Sequence, residues 1–232
     1  MSYPISTIAH VGLGGSVYAS LREALITGRF LPDSPLRIRE LAAQLGTSVT
    51  PVRDAILQLA KEQALEMRTP KDIRVPRLSA AQYAEIRQLR LELEGLGAQT
   101  AAERISEEEL RRLAENLRLH RQAAESGCSE EALRLNGEFH LLVAGSARLP
   151  LLVKMIDMLW MRAGPLMARV CAWSAKPLDL GRHEALYQAL RAGDAMAARD
   201  AMQGDIDDGN RMMTAFFATI APDPVTPPPA SR

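Results

Sequence analysis

The chain has 232 residues, of which 47% are hydrophobic, 24% charged and only 4% aromatic, and its formal net charge is zero. This supports one large or two modest domains with a real core. It offers no apolar run near the roughly 18 residues that span a bilayer, and the opening MSYPISTIAHVGLGGS lacks the basic start and apolar block of a signal peptide.

Two further counts bear on partners and compartment. Residues 16–78 hold ten Lys/Arg against seven Asp/Glu, a balance of +3, whereas residues 79–232 hold eighteen against twenty-one, a balance of −3. The N-terminal third is therefore the better partner for phosphate. Cys128 and Cys171 are the only cysteines, and two isolated thiols point to a reducing cytoplasm rather than a disulfide framework.

In chain order, residues 1–15 read as a flexible arm. A helix is predicted over residues 16–28, with Val17, Leu21 and Leu25 on one face and Gly28 as its stop. FLPDSP is a turn-rich break. A short helix follows over residues 37–45 and Gly46 ends it. The next helix opens at Thr50-Pro51, with Thr50 as cap and Pro51 at the first helical position, and runs to about residue 63. Residues 65–68 and 73–75 are short extended segments about the turn TPKD. Pro76 closes this unit, and the domain boundary is placed at residues 77–80.

Beyond it, six helices are predicted over residues 80–104, 106–126, 129–147, 150–173, 178–192 and 194–219, joined by short connections as in an antiparallel bundle. Ile86, Leu89, Leu93 and Leu96 form an apolar stripe, Ser106 begins a capping box, and a break falls at Gly193-Asp194. Met155, Met158, Met161 and Met167 read as core filler. The tail, PDPVTPPPASR, is proline-rich and reads as disordered over residues 221–232.

The fold class is thus mainly α: a winged helix-turn-helix over residues 16–78, then an all-helical bundle over residues 79–220. In a winged helix-turn-helix the second helix of the pair enters the major groove by its N-terminal end. Val52, Ala55, Ile56 and Leu59 anchor that helix. Ser48, Thr50 and Arg53 are left to face DNA, with Arg53 the best candidate for bidentate bonding to guanine. Arg39 reaches the same groove edge, and Lys71, at the hairpin tip, suits phosphate or the minor groove. The bland alternative is a common Thr-Pro helix start beside a solvated arginine.

The stretches LREALITG (residues 21–28), LRIRELAAQLG (36–46) and SVTPVRDA (48–55) resemble the N-terminal domain of the GntR family of bacterial transcription regulators. IRQLRLELEGLGAQTAA, NGEFHLLVAGSARLPLL and RHEALYQALRAGDAMAARDAM resemble the FCD-type effector domain of the family's FadR branch. The resemblance covers nearly the whole chain. It implies a cytoplasmic homodimeric repressor that binds double-stranded operator DNA and changes grip when a small carboxylate enters the bundle. Two positions depart from the family pattern. Val49 stands where an Arg is usual, and Asp72 where the wing usually has Gly.

The resemblance also implies a divalent metal, zinc or a similar ion, held by an Asp and a His four residues later, then by a His on each of two later helices. Residues i and i+4 share a helix face, so both can point at one ion. The matching positions here are Asn136, His140, His183 and Asp205, so two of the four are substituted. The alternative is a metal-free pocket of hydrogen-bonded imidazoles. Asn136, His140, His183 and Arg90 are the candidate effector residues. Arg90 is suited either to clamp a carboxylate or to pair with Glu94 at i+4. His10 and His120 carry no assignment, His120 being placed on a polar face by its neighbours Arg118 and Arg121. The rival function is a metal-dependent hydrolase built on His140, His183 and Asp205. It lacks a placed general base, since Glu138 and Glu184 point away.

Overall fold

The computed structural model describes residues 13–125, 127, 130–174 and 179–220. Among them the chain forms α1 (Leu13–Ile26), β1 (Pro35–Leu36), α2 (Ile38–Gln44), α3 (Val49–Lys61), β2 (Glu66–Thr69), β3 (Asp72–Arg74), α4 (Ala80–Ala102), α5 (Glu107–Glu125), α6 (Glu130–Ser146), α7 (Pro150–Ser174), α8 (Gly181–Ala192) and α9 (Ala195–Thr219). The architecture is mainly α, a winged helix-turn-helix followed by a helical bundle. His10 and the proline-rich tail lie outside the described residues.

α1 stops at Gly28, whose φ of 69° is the left-handed conformation that suits glycine. α2 and α3 are joined through Gly46 at φ 64°, and α3 opens earlier than its Thr-Pro pair predicts. Ser48 occupies the N-cap, Val49 is the first helical residue, and Ser48 makes no side-chain capping bond. Thr50 is therefore a first-turn residue and not the cap. Its hydroxyl and that of Ser48 are both exposed.

The wing has three strands in the order β1-β3-β2, all antiparallel. β1 falls inside the stretch that reads as a break and the start of α2. Two residues give no periodicity to detect, and their place is set by pairing Pro35 with Arg74 and Leu36 with Ile73. At the tip, Thr69 Oγ1 accepts from the amides of Lys71 and Asp72 at 3.3 and 3.0 Å.

The bundle helices begin and end on the expected signals. Ser79 and Gln82 form a capping box for α4, and Ser106 and Glu109 exchange the same pair of bonds before α5. Gly193 closes α8 at φ 69°, and Asp194 Oδ1 caps α9 by accepting from Ala197 N at 3.0 Å. Two expectations about the core fail. Leu89 and Leu96 of the predicted stripe are 45% and 43% exposed, and Met155 and Met158 are also on the surface, whereas Met161 is fully buried. These exposed residues lie on α4 and α7, away from the faces that pack inside the chain. Cys171 is buried and disulfide-bonded, which corrects the expectation of isolated thiols. Cys128 lies outside the described residues.

One continuous apolar cluster runs from Val17, Leu21 and Leu25 of α1 through Ile56 and Leu59 of α3 to Phe139, Ile156 and Trp160 of the bundle. The winged unit is thus fastened to the bundle by α1 lying on α7. Arg22 Nε donates to Asp157 Oδ2 at 2.6 Å across this junction, and Arg29 Nε reaches Glu130 at 2.6 Å.

Candidate functional site

In the winged unit, Val52, Ile56 and Leu59 are fully buried and Ala55 nearly so, which fixes the orientation of α3. The opposite face presents Thr50 and Arg53 to solvent, beside Ser48, while Val49 is half-buried. Arg39 on α2 and Lys71 at the wing tip are also exposed. Among the described residues none of Arg39, Arg53 or Lys71 is held by a carboxylate, so their charges remain available. Asp72 is turned aside: its carboxylate accepts from Arg74 Nε at 2.8 Å, which offsets its charge at the tip.

Inside the bundle, α4, α6, α8 and α9 bring a chain of charged groups together. Arg90 Nε donates to Glu94 Oε1 at 2.5 Å, and the other carboxylate oxygen of Glu94 lies 2.6 Å from His140 Nδ1. His140 Nε2 stands 3.1 Å from Asp205 Oδ2, and His183 Nδ1 stands 3.2 Å from Asp205 Oδ1. Glu94, His140 and His183 are buried, as is Arg90, whose guanidinium lies over the Trp160 ring at 4.2 Å. Asn136, Arg90, His183 and Asp205 border a cavity of about 250 Å³, shared with Tyr83 and Met167.

The electrostatics follow from this packing. Burial alone would raise the Glu94 carboxyl, but Arg90 and His140 outweigh it and hold the group ionised. Burial would likewise lower His140. Glu94 and Asp205 on its two sides push it up to about 9 instead. His183 is lowered by its burial, the nearby Asp205 notwithstanding.

The donor atoms of His140, His183 and Asp205 lie within 4.8 Å of one another. The bond from His140 Nδ1 to Glu94 directs Nε2 toward Asp205, the arrangement by which an outer carboxylate orients a metal-binding imidazole. Among the described residues, His140 Nε2 and both His183 nitrogens are buried without hydrogen-bond geometry to any partner. Two imidazoles, once His140 has given up its Nε2 proton to the incoming ion, and a carboxylate fit a divalent ion of the zinc type. Asn136 borders the cavity four residues before His140. Arg90 takes the i+4 pairing with Glu94 and still lines the cavity. Glu138 pairs with Arg134 at 2.8 Å and Glu184 with Arg121 at 2.9 Å, both on the surface. Neither is directed at the cluster as a general base would be.

His120 is the residue the sequence reading misplaced. It is fully buried, not on a polar face, and its ring meets that of His183 edge-on at a centroid distance of 5.4 Å. The signal was present: Leu110, Leu113, Leu117, His120 and Ala124 recur at helical spacing and are all buried in α5. The flanking arginines concealed it.

A winged helix-turn-helix with an outward-facing recognition helix, joined to a helical bundle that encloses a cavity, defines a class of DNA-binding regulator. Residues 13–75 match the model of the bacterial regulatory proteins of the gntR family, and residues 85–208 match the FCD domain. The chain belongs to the GntR family and carries an FCD domain. It is 34% identical over 191 residues to the HTH-type transcriptional regulator McbR of Escherichia coli K12, covering 82% of this chain and 85% of that protein. It is 33% identical to the probable D-xylose utilization operon transcriptional repressor of Paenarthrobacter nicotinovorans, over 75% of this chain and 77% of that one. The solved structure of E. coli McbR/YncC superposes with a TM-score of 0.82 at 30% identity, covering 89% of this chain and 99% of that chain. No helix among the described residues is long and apolar enough to cross a membrane.

Proposed function

We propose that this regulator is a cytoplasmic homodimeric repressor of metabolic genes, released from its operator by a small carboxylate bound in the bundle. Residues 16–78 would form the DNA-binding unit and residues 79–220 the effector-binding and dimerisation unit. The observation that carries the reading is the exposure of Ser48, Thr50 and Arg53 at the N-terminal end of a recognition helix whose opposite face is fully buried. Arg53 would read a base, and Ser48, Val49 and Thr50 would contact base edges or phosphate. Arg39 would fix the groove edge, and Lys71 would meet phosphate.

The cavity supports the effector assignment. Its Arg90 and His183 suit an anionic group, Asn136 adds a polar contact, and about 250 Å³ admits only a small molecule. His140, His183 and Asp205 would hold one divalent ion per subunit, and such an ion would supply an electrophilic position for the carboxylate. The exposed Leu89 and Leu96 of α4 and Leu151, Met155 and Met158 of α7 support a dimer.

Coupling would run through α7. Trp160 of α7 touches Arg90 and His140 at the site, and Gly164, one turn later, lies against the end of α1. A ligand that prefers one tilt of α7 would shift the dimer away from the spacing that two half-sites demand. A gel shift of the full chain on duplex DNA from upstream of its own coding region, repeated over a salt series, tests the reading. Specific retention that weakens steeply with salt is expected. Indifference to that DNA at low ionic strength would overturn the proposal.

A further inference from the structure

His120 is fully buried on α5, and among the described residues neither of its ring nitrogens has a hydrogen-bond partner. Leaving a buried imidazole unsatisfied is costly, and a bound water or ion is one of the few things that would satisfy it. Asn116, one turn earlier on the same face, is also buried. Its amide nitrogen donates to the Leu135 carbonyl at 3.2 Å, and its Oδ1 has no partner among the described residues. α5 thus turns His120 toward His183 and buries a second polar group one turn earlier.

The ring geometry gives these groups a direction. His183 meets His140 at a centroid distance of 5.4 Å and an interplanar angle of 87°. It meets His120 at 5.4 Å and 80°. Two imidazoles bound to one ion, with metal–nitrogen distances of about 2.0–2.1 Å and a tetrahedral angle, have centroids roughly 5 Å apart. His183 is therefore related to His120 as it is to His140.

We propose that His120 is the fourth protein ligand of the ion held by His140, His183 and Asp205, reached by a turn of its ring from outside the group whose donors lie within 4.8 Å of one another. The inference rests on the metal reading of the preceding subsection. Three imidazoles and one carboxylate close a four-coordinate shell, which favours zinc-type ions over magnesium or calcium. The carboxylate effector would then sit beside the ion, on the Arg90 side of the cavity, or expand the shell to five.

The test uses the full-length protein, stripped with a chelator and reloaded with Zn²⁺ or Co²⁺. Affinity is read by chelator competition and the number of bound imidazoles by X-ray absorption. Three imidazoles are expected in the unaltered protein. His120→Gln should leave two and weaken Zn²⁺ binding by about 100-fold, the upper end of what even an outer partner contributes. His140→Gln is the control for the metal site itself. If His140→Gln weakens binding and His120→Gln does not, or the unaltered protein shows two imidazoles, the His120 assignment is overturned and the metal reading stands. If the protein takes up no ion, or His140→Gln has no effect, both fall. The imidazole count of the unaltered protein decides the matter even if His120→Gln does not fold.

Discussion

The backbone of Leu25 in α1 and Gly164 in α7 are in such close contact that a Cβ added at Gly164 would stand 2.3 Å from the Leu25 carbonyl oxygen. The Ile26 carbonyl would be 2.5 Å away. Main chain cannot swing aside as a side-chain tip can, so the two helices must part to admit even one methyl group. Gly164→Ala is expected to destabilise the folded chain by roughly 1–3 kcal/mol through overpacking. Urea unfolding checks this, and an unchanged midpoint would show that the junction between the two units is not the tight contact described.

The arginine at the start of the recognition helix and the lysine at the wing tip should fail in different ways. Arg53→Ala is expected to lower operator affinity by about 1–3 kcal/mol and to relax base preference at one position per half-site. Lys71→Ala should weaken all sequences alike and reduce the salt slope by about one. Val49→Arg should alter preference at a single position per half-site. Selection from randomised duplexes reads all three, and an unaltered preference in Val49→Arg would count against the proposed docking.

Leu151 is 72% exposed and Met155, one turn later on α7, is 44% exposed. If they lie between two copies, a carboxylate at either place would be buried against apolar surface with no partner. Leu151→Asp combined with Met155→Asp should convert the dimer to monomer at micromolar concentration and, with it, abolish tight operator binding. Light scattering after size exclusion gives the answer; a dimer of unchanged stability would move the interface elsewhere.

Glu109 provides a pH dependence with a defined sign. Its carboxylate receives two bonds from Arg148, at 2.5 and 2.8 Å, and one from the Ser106 amide at 3.0 Å. Arg148 is the chief reason its pKa falls from 4.5 to about 2. A depressed carboxyl contributes stability that is present above its unfolded pKa and is lost as pH falls from about 4.5 through 2. Unfolding at pH 6 and pH 3 should therefore differ more in the parent chain than in Arg148→Gln. Because the Arg148 side chain is half exposed, the difference should be small and should shrink with added salt. Equal acid sensitivity in the two proteins would remove the pair from any account of stability.

Much of this was legible in the chain itself because the governing signals are local. The spacing of Val52, Ala55, Ile56 and Leu59 orients α3 without reference to any other element. The capping residues Ser79, Ser106 and Asp194 and the stop at Gly193 place the bundle helices to within a few residues. The pairing of His140 with His183 and Asp205 came from resemblance, and the coordinates bring those donors together. What local pattern could not supply was decided by neighbours distant in the chain. Apolar periodicity marks Leu89, Leu96, Met155 and Met158 as faces that exclude water, but not whether the cover is this chain or another. The two residues of β1 are a strand only because β3 is there to bond them. His120 meets His183 because α5 packs near α8, an arrangement that no neighbouring residue encodes. The sequence determined the helices, their caps and the outward recognition face, since these depend on interactions over three or four residues. The tertiary structure alone decided which buried imidazoles meet and where α1 is clamped to α7, since those depend on contacts between residues far apart in the chain.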